Sequence, residues 1–285
     1  MSIFSGIWVP VVTPFADGVV DHAALRRLVH LYAEAGVAGL VALGTTGEPS
    51  ALDAAEQDAV LATILAEARS LPVLVGVSGN HLASVQARIV ELNELPVAGV
   101  LISAPYYIRP SQAGLIEYFT TLADLSRKPV VLYDIPNRTG VRLELETLLT
   151  LAAHPRIQAV KDCAGSLDTT LALILDGRLQ VLAGDDINLY NTLCMGGSGA
   201  IAASAHVYPE RFVSLYCALS EGRLDDGRRI FHTLVPLIQA LCAEPNPGPV
   251  KAALAAQGVI RNELRAPMTR ASGALDERLR QLVAV

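Results

Sequence analysis

Eight short apolar runs, rich in β-branched residues, recur along the chain: IWVPVVT (7–13), AGLVALG (38–44), PVLVGV (72–77), AGVLISA (98–104), PVVLYDI (129–135), IQAVKD (157–162), LQVLAGD (179–185) and GAIAAS (199–204). They stay apolar at consecutive positions instead of alternating, the pattern of parallel strands covered on both faces. Between them the apolar spacing becomes helical over 21–35, 53–69, 82–94, 111–126, 143–153, 167–175 and 186–195. Asp21, Asp53 with Glu56 three residues on, and Ser111 stand where helix N-caps belong. Eight strand–helix alternations at a period of roughly 27 residues predict a (β/α)8 TIM barrel, with a doubly wound open sheet as the second architecture. Beyond Pro209 only helical spacing remains, over 209–220, 224–242, 249–257 and 275–283, with a stiff EPNPGP segment at 244–249. The division expected is a catalytic barrel over 1–222 and a C-terminal helical extension over 223–285.

Composition narrows the function. Of 285 residues, 52% are hydrophobic and 18% charged, which excludes a disordered chain. No run approaches the roughly 18 apolar residues of a membrane span. The net charge of −6, without a Lys/Arg cluster, argues against nucleic acid and anionic lipid as partners. The first residues lack a basic region followed by a small-residue cleavage site, so a cytoplasmic protein is expected. Four scattered cysteines and six scattered histidines show no metal-ligand spacing, and no metal is expected.

In a parallel barrel the strand C-termini form the active face, so polar residues that end apolar runs are the candidates. Lys161 ends IQAVKD, where desolvation would lower its pKa and make its amine a nucleophile toward carbonyl carbon. Alternatively it is ion-paired with Asp134, Asp162 or Asp185. Tyr133 ends the neighbouring run and offers a phenol for proton transfer, or simply a hydroxyl in water. Thr45 and Thr46, in GTTGEP (44–49), lie in a turn whose amides and hydroxyls suit a carboxylate or phosphate, or else cap the next helix. Arg138 offers a bidentate fork for a carboxylate, or is an exposed loop arginine. MGGSGA (195–200) permits close backbone approach or tight packing, Cys163 is a thiol or a small buried hydrophobe, and His206 and Tyr208 read as structural.

Together GTTGEP, APYYIRPSQ (104–112), YDIPNRTG (133–140), VKDCAGS (160–166), GDD (184–186) and EPNPGPVKAAL (244–254) resemble the dihydrodipicolinate synthase / N-acetylneuraminate lyase family of Schiff-base barrel enzymes across essentially the whole chain. RTG after YxxP and the late EPNPxPVK resemble the dihydrodipicolinate synthase branch. The resemblance implies condensation of pyruvate with L-aspartate 4-semialdehyde in lysine and diaminopimelate synthesis, without a cofactor, by a cytoplasmic homotetramer built from dimers. It assigns Lys161 to the imine with pyruvate, and Tyr133, Thr46 and a neighbouring subunit's Tyr107 to proton transfer. Thr45 and Thr46 would hold the pyruvate carboxylate, Arg138 that of aspartate semialdehyde, and Gly184 and Ile201 would also contact substrate, Ile201 through its backbone. A sibling pyruvate lyase, 2-keto-acid aldolase or dehydratase is the alternative. A metal-dependent barrel using Asp134, Asp162, Asp185 and His206, and an idle binding barrel, are more distant ones.

The chain also departs from that pattern. Asp134 stands where many members have Asn. Ala54 and Gln57 occupy positions where lysine-inhibited members usually carry histidine, and Ser84 replaces an acidic residue, while Asn80 and Tyr106 are retained. Feedback inhibition by lysine is therefore expected to be weak or absent.

Overall fold

A run that stays apolar at consecutive positions must be covered on both faces, and each of the eight runs overlaps one of the parallel strands. The computed structural model describes residues 4–284. In chain order the strands are β1 (Gly6–Pro10), a short antiparallel pair β2 (Phe15–Ala16) and β3 (Val19–Val20), then β4 (Gly39–Ala42), β5 (Val73–Val77), β6 (Gly99–Ser103), β7 (Val130–Asp134), β8 (Ile157–Asp162), β9 (Gln180–Ala183) and β10 (Gly199–Ile201). The eight parallel strands follow the hydrogen-bonded order β1-β10-β9-β8-β7-β6-β5-β4 of a closed barrel. β1, β4, β6, β7 and β10 are buried at every residue, which accounts for their unbroken apolar sequences.

The caps read from sequence are in place. Asp21 accepts from the Ala24 amide, Ser111 from the Gly114 amide, and Asp53 and Glu56 form a reciprocal capping box on helix Ala54–Glu67. Each such cap contributes about 1 kcal/mol. The expected helix over 186–195 is divided, a 3₁₀ turn at Asp186–Asn188 leading into Leu189–Cys194. The β2–β3 pair was not expected. Its turn is Asp17-Gly18, with φ of 54° and 81°, and an Asp-Gly pair between apolar residues is the sequence signal for such a turn.

Two compact units are distinguishable, one of residues 4–5 and 74–201 and the other of 6–73 and 202–284. The first carries β6–β9 as neighbouring parallel strands; the β7–β8 register shifts between Val130 and Val131, after which Tyr133 stands opposite Lys161 and Asp134 opposite Asp162. The second carries β1, β4 and the C-terminal helices Pro209–Ser220, Leu224–Leu241, Gly248–Ala256 and Gly273–Val283. Pro249 lies in the first turn of its helix, where its missing N–H costs nothing. Among the described residues, no helix is long and apolar enough to cross a membrane.

Candidate active site

Lys161 and Tyr133 meet because β7 and β8 pair in parallel with these two residues in register at the ends of their apolar runs. The Lys161 Nζ donates a hydrogen bond to the Tyr133 hydroxyl at 3.4 Å and lies 4.4 Å from the Tyr133 ring centroid. Both side chains are buried. Burial alone would lower the Lys161 pKa, as the sequence suggested. Interaction with Tyr133, Cys163 and Asp186, with the hydrogen bond to Tyr133, opposes burial and raises the pKa above its ordinary value. The resting group is an ammonium, and a base must take its proton before it can attack a carbonyl.

Of the three carboxylates considered as ion-pair partners for Lys161, Asp134 and Asp162 hold other partners. Asp134 accepts from the Leu143 amide at 3.1 Å. Asp162 accepts from the Ala164 amide at 2.9 Å and the Thr170 hydroxyl at 2.6 Å, bracing the turn into helix Leu167–Asp176. The Asp185 pKa is raised above its ordinary value, chiefly by burial. Burial drives the Cys163 thiol's pKa far up, so Cys163 is a buried hydrophobe and not a reactive thiolate. Gly184 is needed for space, since a Cβ there would collide with Cys163 Sγ and come within 3.0 Å of Lys161 Cγ. Ile201 is the fully buried last residue of β10.

Asp134 is the clearest departure in this unit. Burial, helped by the charge of Asp162, raises its pKa to about 7 despite the Leu143 amide. An acid whose folded pKa lies above its unfolded value binds more protons when folded, so it removes stability as pH rises between those values. The protein is expected to lose stability from about pH 4 to pH 7 on account of this group. Asp134→Asn should flatten that decline and unfold at a higher temperature than wild type at pH 8, as thermal melts at pH 5 and pH 8 would show.

Arg138 lies exposed in a single helical turn, Pro136–Thr139, within the segment read as a loop. The turn ends on Gly140 in the left-handed region, φ 77°. The carbonyl of Thr139 accepts from the Tyr107 amide at 3.3 Å, tying the Arg138 turn to the Tyr107 segment. Tyr107 is 88% exposed with φ 74°, and its neighbours Tyr106 and Ile108 are exposed as well.

In the other unit, Thr45–Gly47 forms a 3₁₀ turn, followed by Glu48 in the left-handed region. The threonines do not cap the next helix, because Asp53 does. Thr46 is buried and its hydroxyl accepts from Asn246 Nδ2 at 2.9 Å. Glu48 meets Lys251 at 2.5 Å, with side chains 2% and 0% exposed. Thr13 donates to the Gly47 carbonyl at 2.7 Å. His206 is structural, with its Nδ1 against the Ala203 carbonyl and its Nε2 accepting from the Val12 amide. Neither ring nitrogen is left for a metal, and burial lowers its pKa to about 4. Sequence reading missed Asn246, Glu48 and Lys251 as members of this cluster, although EPNPGPVK and GTTGEP contain all three.

With this geometry in place, the chain was compared with known proteins. Residues 3–285 match the model of the dihydrodipicolinate synthetase family. A 4-hydroxy-tetrahydrodipicolinate synthase of Clostridium acetobutylicum is 36% identical over 98% of this chain and 99% of its own length. One from Syntrophus aciditrophicus is 37% identical over 99% of this chain and 98% of its own length. The crystal structure of dihydrodipicolinate synthase from Thermotoga maritima superposes with a TM-score of 0.96 at 32% identity, covering 99% of this chain and 98% of that one.

Proposed function

The chain belongs to the dihydrodipicolinate synthetase family, and on that premise we propose that it is a lyase of class I aldolase type, condensing pyruvate with L-aspartate 4-semialdehyde to 4-hydroxy-tetrahydrodipicolinate in lysine and diaminopimelate synthesis. The observation that carries the reading is the buried Lys161 ammonium hydrogen-bonded to the Tyr133 hydroxyl. Proton removal from Lys161 frees the amine to add to the ketone of pyruvate, and loss of water leaves an imine. The imine is an electron sink for loss of a methyl proton, and the resulting enamine carbon attacks the aldehyde. Each proton movement calls for a group of matched position, which is the role of Tyr133 together with Thr46 and Tyr107.

Two anchors complete the assignment. Thr45 and Thr46 hold the pyruvate carboxylate through hydroxyl and amide groups, with Ile201 and Gly184 contributing to substrate contact, and Arg138 receives the carboxylate of the semialdehyde. The exposure of both Arg138 and Tyr107 supports these roles, since a ligand and a neighbouring subunit can reach them. A cytoplasmic homotetramer, a dimer of dimers in which Tyr107 serves the adjoining subunit, belongs to the same proposal.

A panel of aldehydes assayed with wild type and Arg138→Ala tests the acceptor. The variant should raise the KM for aspartate semialdehyde by roughly 10-fold or more, the scale of a lost charge-assisted hydrogen bond, and leave pyruvate binding unchanged. Semialdehyde turnover unaffected by the change would contradict the assignment. Lysine should inhibit weakly or not at all. Gln57 gives its amide to the Pro49 and Leu52 carbonyls, and Ala54 has no polar side-chain group to offer. An inhibition constant in the sub-millimolar range would refute that expectation.

A further inference from the structure

We propose that Asn246 is a positioning residue that fixes the direction of the Thr46 hydroxyl; this rests on the role given to Thr46 above. The two side chains are 200 positions apart in sequence and meet at 2.9 Å, Asn246 Nδ2 donating to Thr46 Oγ1. An amide nitrogen has only hydrogens to give, so the threonine oxygen is the acceptor in this contact. A hydroxyl carries a single hydrogen, and with the amide seated on its oxygen that hydrogen is directed away from Asn246. Thr46 is thereby set as a donor toward whatever it faces, which is what a carboxylate anchor or a one-way proton relay requires.

The rest of the turn is held without Asn246. Glu48 is locked by Lys251, and the Gly47 carbonyl by Thr13. The Thr45–Gly47 turn therefore has tethers besides Asn246, and the Asn246 amide acts on the Thr46 side chain. Asn246 Oδ1 is buried without a hydrogen-bond partner among the described residues, so it does not receive the Thr46 hydrogen. Asn246 and Lys251 lie in one segment and tether Thr46 and Glu48, so the C-terminal region sets both the backbone and the hydroxyl of the GTTGEP turn.

Asn246→Asp tests the direction, because a carboxylate accepts where the amide donated and would draw the Thr46 hydrogen toward itself. The expected result is a fall in kcat of roughly 10- to 100-fold, the scale of a misdirected proton-transfer group, together with a rise in the KM for pyruvate, whose carboxylate the Thr46 hydroxyl anchors. In a Thr46→Val background, the same substitution should leave kcat and the KM for pyruvate within about 2-fold of that background, since the hydroxyl it acts on is gone. Asn246→Ala, which neither donates nor accepts, should fall between wild type and Asn246→Asp in kcat and gives the same readout should the Asp variant not fold. Equal losses with and without the Thr46 hydroxyl, or wild-type kcat in both Asn246 variants beside a defective Thr46→Val, would overturn this proposal alone. Wild-type kcat in Thr46→Val would overturn it together with the role given to Thr46.

Discussion

Lys161→Met should abolish turnover, lowering it on the order of 10⁴-fold or more, while leaving a folded protein. The methionine fills much of the space of the lysine stem, and the apolar surroundings that now cost the ammonium its hydration would accept it. The chemistry has no second route, because the imine needs a primary amine. Lys161→Arg should be equally inactive despite keeping the positive charge, since a guanidinium stays protonated and does not form the imine. Tyr133 retains a folded environment in both variants, so circular dichroism and melting temperature separate loss of the nucleophile from loss of structure. Substantial activity in either variant would remove Lys161 from the mechanism.

Lys251→Met should be the most destabilising single charge removal in the chain, costing about 3–5 kcal/mol. Lys251 is fully buried, meets the Glu48 carboxylate at 2.5 Å, donates to the Glu263 carbonyl at 3.0 Å and lies 4.2 Å from the Phe15 ring centroid. Burial lowers its pKa, and Glu48 offsets only part of that. Removing the lysine leaves the Glu48 carboxylate buried with no cation in contact, which costs far more than the pair itself contributes. Adding Glu48→Gln to Lys251→Met should therefore recover most of the loss, and denaturant titration of the two single variants and the double variant would measure it. Additive losses would show that the two charges do not form the coupled pair described.

The strands were legible because a fully covered parallel strand has no polar face to hide, and β6, β7 and β8 fall within the apolar runs that announced them. Asp21, Asp53 and Ser111 were legible as caps because capping is decided within four residues. Lys161 and Tyr133 stood out as polar ends of apolar runs, and strand register then brought them together. The direction of the Lys161 pKa was not legible, since desolvation can be read from an apolar run but the opposing interactions include Tyr133 on the neighbouring strand and Asp186 beyond β9. Lys251 was hidden for a related reason. In PVKAAL it looks like an ordinary surface lysine of a helix, and only tertiary structure places it against Glu48, far away in sequence. Asn246 reads as a turn residue between two prolines, and nothing local points to Thr46.

The proposed mechanism requires a covalent link between Lys161 and pyruvate. Incubation with pyruvate and borohydride, followed by digestion and mass spectrometry, should place a reduced pyruvate adduct on the peptide containing Lys161 and on no other, with none formed by Lys161→Met. An unmodified Lys161 peptide from active protein, or an adduct carried equally by surface lysines, would contradict it.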